Sequence, residues 1–262
     1  MNEIEILFTD ILGCRRDELY LNKNIKLSPS QKEFLISALK RKALGEPLQY
    51  ILGKTEFMGL EFKLNQDVFI PRPETEILVE YTLNLISHLE KNYLKILDLC
   101  TGSGCIAISL AKYITEKNIV FYACDLSYQA LKVAKINAKI NQVKINFLNT
   151  DLFKAIKSNS FDIIVSNPPY VPKGEIDKLS KEISYEPRMA LDGGEDGLDF
   201  FRRIIGEVGF YLKDDGFLIM EIGFGQLNSI KNLFKNSKNL RIIDCIKDYS
   251  NIERVIVAKK YG

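Results

Sequence analysis

The stretch from Phe161 to Val171 places the strongest constraint on how this chain can fold. Residues Phe161–Val165 form a short apolar run with β-branched members, which predicts a buried strand. Two consecutive prolines, Pro168 and Pro169, remove two backbone donors and fix φ, so the strand cannot continue through them. A rigid loop therefore follows the strand, and in open α/β sheets ligands bind beyond the carboxyl ends of the strands.

The loop residues Asn167, Pro168 and Tyr170 carry groups suited to a planar amino group. A proline carbonyl that has no ladder partner and the side-chain oxygen of Asn167 provide two neighbouring acceptors. They match the two hydrogens of a planar –NH2 group, and the ring of Tyr170 offers a flat face for stacking. Asn-Pro alone is a common turn signal. The whole loop, directly after an apolar strand and downstream of a glycine-rich turn, favours a binding loop instead.

A glycine-rich turn follows Lys95–Leu99, the first strand predicted for the main sheet. Glycines between a strand and a helix let backbone amides approach a ligand closely. No Lys-Ser or Lys-Thr pair follows these glycines, so the turn is not a P-loop. The candidate cofactor-binding residues of the turn are Cys100, Thr101, Gly102, Ser103 and Gly104.

Asp125 follows the second predicted strand, Val120–Cys124, and stands 21 residues after Gly104. An acidic residue about 20 positions beyond such glycines is placed to bind the two hydroxyls of a ribose. Asp125 also precedes a predicted helix over 130–141, so a helix cap is the alternative. The two glycines and the spacing favour the ribose.

Composition argues against several functional classes. The chain has 262 residues, 46% hydrophobic and 27% charged, which is an ordinary globular balance with room for one large and one small domain. A net charge of +2 gives no strong electrostatic footprint for nucleic acid. No apolar run approaches the roughly 18 residues of a transmembrane helix, and the first residues lack the pattern of a signal peptide. The five cysteines include no Cys-x-x-Cys pair and His88 is the only histidine, so we expect reduced thiols, no metal site, no membrane contact and a cytoplasmic protein.

The order of elements predicts an α/β fold. Residues 1–52 have apolar side chains at helical spacing and predict a small helical domain. Residues 53–73 predict a β-hairpin linker with strands over 55–63 and 68–70. Residues 74–262 predict a seven-stranded, Rossmann-like sheet with helices on both faces. Its last two strands have no helix between them and must pair antiparallel, which leaves six parallel strands and a reversed last one.

Asn-Pro-Pro-Tyr at 167–170 resembles the signature of S-adenosylmethionine-dependent methyltransferases that modify planar amino groups. Further stretches narrow the resemblance to the glutamine methyltransferases of peptide chain release factors. These stretches are Gly45–Gly53, Pro71–Glu76, Tyr185–Arg188 and Leu191–Leu198. The likeness runs from about residue 40 to the end of the chain, and the combination of motifs is specific.

The resemblance implies S-adenosylmethionine as cofactor and class I release factors as protein substrates, methylated on the glutamine of a Gly-Gly-Gln motif. We expect segment 1–52 to recognise that substrate. The family pattern assigns catalysis to Asn167, Pro168 and Tyr170, and substrate binding to these residues together with Pro169. The residues assigned to cofactor binding are Cys100, Thr101, Gly102, Ser103, Gly104, Asp125, Leu152 and Asn167, with Asp151 beside Leu152 at the adenine. The family usually has glycine where Cys100 stands, so Cys100 must accept the backbone angle of the turn.

Three other functions are alternatives to methylation of a release factor. A ribosomal-protein glutamine methyltransferase shares Asn-Pro-Pro-Tyr, but its counterpart of Pro71–Glu76 usually differs. An adenine methyltransferase acting on nucleic acid would favour a basic face and a target-recognition domain, whereas segment 1–52 is near neutral. A non-catalytic binding module is the third, and the presence of both Asn167 and Asp125 argues against it. We therefore expect no direct contact with nucleic acid.

Overall fold

The computed structural model describes residues 3–21, 25–115, 118–237 and 239–262. Its helices are α1 (Glu3–Leu12), α2 (Arg16–Leu21), α3 (Pro29–Ala43), α4 (Leu48–Leu52), α5 (Pro73–His88), α6 (Cys105–Tyr113), α7 (Tyr128–Ile140), α8 (Lys173–Ile176), α9 (Asp199–Tyr211) and α10 (Leu227–Phe234). Its strands are β1 (Lys54–Phe57), β2 (Leu60–Lys63), β3 (Tyr93–Leu99), β4 (Asn118–Asp125), β5 (Asn146–Asn149), β6 (Phe161–Ser166), β7 (Leu212–Glu221), β8 (Leu240–Lys247) and β9 (Glu253–Lys260). Two short 3-10 turns, Ile183–Tyr185 and Arg188–Ala190, lie in the long segment between β6 and α9.

The main sheet has the strand order β5-β4-β3-β6-β7-β9-β8. β3 pairs in parallel with β4 and with β6, and the pairs β4–β5 and β6–β7 are also parallel. β9 lies between β7 and β8 and is antiparallel to both. The prediction of six parallel strands and a reversed last strand is therefore confirmed.

The central strands of the sheet are buried on both faces. Every residue of β6 is buried. Ile164 belongs to an apolar cluster with Phe201 of α9, whereas Ile163 and Val165 belong to a second cluster with Leu78 of α5. Neighbouring side chains of a strand point to opposite faces, so a continuous apolar strand needs helices on both sides of the sheet. The predicted two-faced α/β arrangement is confirmed.

The hairpin that precedes the main sheet is shorter than the sequence predicts. Its strands are β1 and β2, which pair antiparallel from Lys54–Lys63 to Phe57–Leu60. Met58 (φ 52°) and Gly59 (φ 70°) are both left-handed, as a two-residue hairpin turn requires. The predicted single strand over 55–63 and the predicted strand over 68–70 are therefore wrong. Methionine is an unusual residue for a left-handed turn, and this hid the turn from sequence reasoning.

The N-terminal helices contact the sheet domain through α4 and the end of α3. Tyr50 on α4 is buried beside Ala130 of α7, and its hydroxyl donates to the backbone oxygen of Val68 at 2.6 Å. Tyr185, in the segment after β6, donates to the carbonyl oxygen of Leu44 at 3.2 Å. The helical segment thus touches both α7 and the long segment after β6. Within the described residues, no helix is both long and apolar enough to cross a membrane.

Candidate active site

A cavity of about 400 Å³ opens at the carboxyl ends of β3, β4 and β6. Ligands bind at this edge in open parallel sheets, and the volume is usual for a small-molecule site. Most residues predicted from the sequence line it, namely Cys100, Thr101, Gly102, Ser103, Asp125, Asp151, Leu152, Asn167, Pro168, Pro169 and Tyr170. The structure describes every predicted site residue. Among them, Gly104 alone does not line the cavity.

The glycine-rich turn between β3 and α6 passes through left-handed backbone at Cys100 (φ 59°), Gly102 (φ 54°) and Gly104 (φ 83°). The Cβ of Cys100 makes this region unfavourable, so Cys100 occupies a position that suits glycine better. A Cβ on Gly102 would meet no atom within 4 Å, which leaves its backbone open to a ligand. A Cβ on Gly104 would lie 2.8 Å from Cδ1 of Ile108 and 3.1 Å from Cβ of Ala134. Gly104 therefore lets α6 and α7 approach each other.

Asp125 is the last residue of β4, and backbone amides hold its carboxylate in place. Its Oδ2 accepts from the amide of Gly102 at 2.8 Å, and its Oδ1 accepts from the amide of Ser127 at 2.8 Å. Burial raises the pKa of Asp125, and these backbone hydrogen bonds oppose that shift. The side chain that caps α7 is Ser127, which accepts from the amide of Ala130. The Asp125 side chain is thus not the cap, and its oxygens keep lone pairs for a ligand in the cavity.

Asp98 is a buried carboxyl that sequence reasoning missed. Its Oδ2 accepts from the hydroxyl of Thr101 at 2.6 Å and from the amide of Ala107 at 3.3 Å. Among the described residues its Oδ1 has no hydrogen-bond partner. Burial raises the pKa of Asp98 to about 7. Asp98 joins the glycine-rich turn to the first turn of α6, and the signal for it was one charged residue inside the apolar strand β3.

Asn167 follows β6 and is held by residues from two other parts of the chain. Its Nδ2 donates to Oγ1 of Thr75 at 3.1 Å, and that hydroxyl donates to Oε2 of Glu221 at 2.6 Å. Thr75 lies in the first turn of α5 and Glu221 is the last residue of β7. Burial raises the pKa of Glu221 to about 7, and the hydrogen bond from Thr75 and the charge of Arg254 oppose the shift. Thr75 belongs to the Pro71–Glu76 stretch that carries the family resemblance, but nothing in the sequence indicates this contact.

The loop from Pro168 to Tyr170 leaves acceptors on the cavity wall. No hydrogen bond among the described residues ends on the Pro168 carbonyl oxygen. Tyr170 packs against the turn after β7, where a Cβ on Gly223 would lie 2.9 Å from Cδ2 of its ring. Its backbone oxygen accepts from Nε2 of Gln226 at 2.9 Å. Burial raises the pKa of Tyr170, so its hydroxyl stays neutral.

Glycines of the Leu191–Leu198 stretch let the long segment after β6 return to this loop. The amide of Val171 donates to Leu191 at 2.9 Å, and the amide of Gly193 donates to Val171 at 2.9 Å. A Cβ on Gly193 would lie 2.8 Å from the Cα of Tyr170, and one on Gly197 would lie 2.4 Å from the Tyr170 oxygen. Backbone atoms cannot yield as side chains do, so these glycines are needed for the close approach.

Glu186 ties the same segment to the stretch before α5. Its buried carboxylate accepts from the amide of Ile70 at 3.0 Å and from the guanidinium of Arg72. Burial raises the pKa of Glu186, and the charge of Arg72 opposes that shift. The motifs Pro71–Glu76 and Tyr185–Arg188 are therefore in contact, although more than a hundred residues separate them in the chain.

Asp151 and Leu152 line the cavity next to β4 but differ in what they can offer a ligand. The Asp151 carboxylate pairs with Lys154 at 2.9 Å and with Arg203 at 2.6 Å. Hydrogen bonds from Lys154 and Arg203 lower the pKa of Asp151. Leu152 is buried and left-handed (φ 48°). Leu152 gives the cavity an apolar wall, while the charge of Asp151 is balanced by protein cations.

These groups fit S-adenosylmethionine. A carboxylate with spare lone pairs at Asp125 suits ribose hydroxyls, and the open backbone at Gly102 suits a closely approaching ligand. Leu152 provides an apolar surface for a planar base. Asn167 and Pro168 lie in the same cavity, so a bound cofactor and an amide substrate can meet there.

Comparison with known proteins identifies the family. Residues 80–195 match the Methyltransferase small domain, and residues 1–53 match the PrmC N-terminal domain. A methyltransferase structure from Pyrococcus furiosus has a TM-score of 0.58 at 18% identity, covering 90% of this chain and 100% of that chain. The T. thermophilus 16S rRNA N2 G1207 methyltransferase, solved with AdoMet and guanosine, has a TM-score of 0.56 at 17% identity, covering 79% of this chain and 49% of that chain.

Those two structures share the fold, and a curated relative carries the assignment further. The release factor glutamine methyltransferase of Thermodesulfovibrio yellowstonii is 39% identical over 262 residues, which cover 99% of this chain and 92% of that protein. With that identity over nearly its whole length, this chain belongs to the release factor glutamine methyltransferase family.

Proposed function

We propose that this enzyme methylates the side-chain amide nitrogen of the glutamine in the Gly-Gly-Gln motif of class I release factors. S-adenosylmethionine is its cofactor. The observation that carries the proposal is that Asn167 and Pro168 share one cavity with Asp125. An acceptor pair for a planar –NH2 group thus lies beside a carboxylate suited to the ribose of the methyl donor.

The proposed chemistry follows from the weak nucleophilicity of an amide. Its nitrogen lone pair is delocalised into the carbonyl, so the nitrogen must be fixed and made richer in electrons. Hydrogen bonds from its two N–H groups to Asn167 Oδ1 and to the Pro168 carbonyl oxygen do both. These bonds strengthen as positive charge develops on the nitrogen, so they stabilise the transition state more than the ground state.

The bond changes are those of one substitution at carbon. When bound, S-adenosylmethionine supplies a methyl group on a sulfonium sulfur. Transfer would form a nitrogen–carbon bond at the substrate amide and break the carbon–sulfur bond, whose electron pair would stay on the departing thioether sulfur. The amide nitrogen would release one proton to solvent. Tyr170 and Pro169 form the wall that keeps the amide plane in place, and alignment of nitrogen, carbon and sulfur supplies the remaining rate enhancement.

We also propose that residues 1–52 recognise the release factor, and that the enzyme acts in the cytoplasm. The helix α3 leaves several apolar side chains exposed, including Phe34, Ile36 and Leu39, as a protein-binding face would. All five cysteines are free thiols, which supports a reducing compartment. Replacing Ile36 and Leu39 together by serine should raise KM for the release factor and leave cofactor affinity unchanged. An unchanged KM would contradict a recognition role for this face.

The decisive experiment is methyl transfer from labelled S-adenosylmethionine to a panel of acceptors. The panel contains a class I release factor, its Gly-Gly-Gln variant with asparagine for glutamine, a ribosomal protein and DNA. We expect label only in the unmodified release factor, because one missing methylene withdraws the amide from the acceptor pair. Equal labelling of the asparagine form would overturn the glutamine assignment. Faster labelling of the ribosomal protein or of DNA adenine would replace it with one of those two alternatives.

A further inference from the structure

The side chain of Asn167 can face the cavity in two ways that differ by exchange of its oxygen and its nitrogen. Only one of them offers an acceptor to the substrate amide. The other offers an –NH2 group, which would oppose the N–H donors of the substrate. The shape of the cavity does not distinguish the two orientations, because the oxygen and the nitrogen are nearly equal in size. Hydrogen bonding behind Asn167 must therefore make the choice.

Thr75 receives one hydrogen bond and gives one. Asn167 Nδ2 lies 3.1 Å from Thr75 Oγ1, which in turn lies 2.6 Å from Glu221 Oε2. In its carboxylate form Glu221 has no proton to give, so the Thr75 hydroxyl hydrogen then points to it. Thr75 can then only accept from Asn167, and an amide nitrogen can only donate. The amide nitrogen of Asn167 is thereby directed towards Thr75, and its oxygen is left for the cavity.

The hydrogen bonds from Asn167 to Thr75 and from Thr75 to Glu221 are shielded from water, so water does not replace either partner. Thr75 and Glu221 are each 2% exposed. A buried hydroxyl or carboxylate that loses its hydrogen-bond partner is destabilised, so reversal of the Asn167 amide is disfavoured. Thr75 also lies in the first turn of α5, where the helix dipole favours a nearby negative charge.

We propose that Thr75 and Glu221 are positioning residues that set the direction of the Asn167 amide, so that its oxygen faces the substrate. The inference rests on the proposed function insofar as the acceptor is a planar –NH2 group. Neither residue needs to touch the substrate. Their effect should appear in the rate of methyl transfer and not in the affinity for S-adenosylmethionine.

Two substitutions at position 75 separate positioning from packing. Thr75→Val keeps the shape and removes the hydroxyl, whereas Thr75→Ser keeps the hydroxyl and removes a methyl group. A positioning role predicts that Thr75→Val lowers kcat about tenfold or more, and that Thr75→Ser keeps most of the wild-type kcat. Packing predicts the reverse order, because serine leaves a small cavity and valine does not. Equal kcat for Thr75→Val and wild type would overturn the proposal.

A matched control is available on the same helix. Thr82 is fully buried on α5, and its hydroxyl donates to the backbone oxygen of Leu78 at 2.7 Å. Thr82→Val removes a buried hydroxyl from α5 without touching Asn167, so kcat should stay within about twofold of wild type. A loss equal to that of Thr75→Val would show a general effect of the helix and would overturn the proposal.

Glu221→Met provides a second variant should Thr75→Val fold poorly. Glu221→Met removes a carboxylate that is unfavourable to bury, which offsets part of the loss of the hydrogen bond from Thr75. Without the carboxylate, no acceptor at position 221 draws the Thr75 hydrogen away from Asn167, so we expect the amide to reverse. We expect normal cofactor affinity and a loss in kcat larger than that of Thr75→Val. A kcat equal to that of wild type would refute the role of Glu221.

Side-chain amide NMR tests the inference without any substrate. In the folded wild-type enzyme the Asn167 –NH2 group should exchange slowly with solvent, because the buried Thr75 hydroxyl accepts its hydrogen bond. In Thr75→Val the exchange should be at least about tenfold faster, since one buried partner is lost. Fast exchange in the wild type would contradict the proposal. Slow exchange without transfer to a release factor would leave the network standing and refute the proposed substrate.

Discussion

The two halves of the cavity are built in different ways. The cofactor half consists of the turn after β3 and the end of β4, and Asp98, Thr101, Gly102 and Asp125 lie within one short stretch of chain. In the acceptor half, Asn167 is joined through Thr75 to the first turn of α5 and the end of β7. Val171, in the same loop, is joined to the Leu191–Leu198 stretch. Both halves place a buried carboxyl behind a hydroxyl, with Asp98 behind Thr101 and Glu221 behind Thr75.

The difference lies in the range of the contacts and in their consequence. Hydrogen bonds such as that from Gly102 to Asp125 form within the consecutive β3–α6–β4 unit, so the cofactor half needs little from the rest of the protein. The acceptor half exists only when α5, β6 and β7 have all docked. We therefore expect damage in the cofactor half to change ligand affinity, and damage in the acceptor half to change kcat.

The largest expected effect is on kcat, and it follows substitution of Asn167 in the acceptor half. Asn167→Ala removes one of the two acceptors, and we expect kcat to fall at least about 100-fold, the scale of losing one preorganised group from a transition-state site. Asn167→Asp keeps size and acceptor but adds charge, or takes up a proton in the closed site, so most of kcat should again be lost. Single-turnover rates and calorimetric Kd values for S-adenosylmethionine check both statements.

Melting temperature measured on the same preparations provides the control for Asn167. A turn residue without a catalytic role would lower Tm and leave the rate per folded molecule nearly intact. A variant at position 167 that melts early and transfers methyl at the normal rate would end the catalytic assignment. It would also remove the contrast between the two halves.

The next effect belongs to the cofactor half. Asp125→Ala removes a charged acceptor, and hydrogen bonds to charged groups contribute about 1.5–3 kcal/mol, so Kd for S-adenosylmethionine should rise roughly 10- to 150-fold. At saturating cofactor, kcat should change much less than in Asn167→Ala. Asp151→Ala is the comparison, because Asp151 lines the cavity but pairs with Lys154 and Arg203. An unchanged Kd in Asp125→Ala would leave Asp125 a purely structural residue.

The same contrast explains what the sequence could predict. Asp125 was found from its spacing to the glycines, and Asn167 was found because prolines must end an apolar strand. Glu221 could not be found in this way, because its role depends on the pairing of β6 with β7 and on where α5 docks. Gly193 and Gly197 belong to a stretch that was recognised as a motif, but the reason for them, close contact with Tyr170, is a long-range one. The hairpin turn at Met58 was missed because methionine rarely takes a left-handed conformation.

A smaller effect tests whether the acceptor half depends on the segment after β6. A Cβ on Gly193 would lie 2.8 Å from the Tyr170 Cα, so Gly193→Ala must displace the loop that carries the acceptors. We expect kcat to fall about tenfold, since small misplacements of reacting groups are costly, with cofactor Kd unchanged. Gly174→Ala, in the same segment, is the matched control because its Cβ would meet nothing within 4 Å. Equal kcat for the two variants would show that Tyr170 tolerates the shift.

The smallest effect concerns stability and compares the two buried carboxyls. Burial raises the pKa of Glu221 from 4.5 and that of Asp98 from 3.8, each to about 7 in the folded protein. Between the unfolded and folded pKa values the folded state binds more protons than the unfolded state, so stability falls as pH rises through this window. Glu221→Gln and Asp98→Asn cannot ionise, and each should therefore melt higher than wild type at pH 8, while the difference shrinks towards pH 5. For a chain of this size each kcal/mol corresponds to about 2–4 °C in Tm.

The same two variants should differ in their effect on function. Asp98→Asn should weaken cofactor binding, and Glu221→Gln should lower kcat. A Tm difference that does not depend on pH would contradict ionisation of these carboxyls, and a kcat loss in Asp98→Asn alone would reverse the assignment of the two halves.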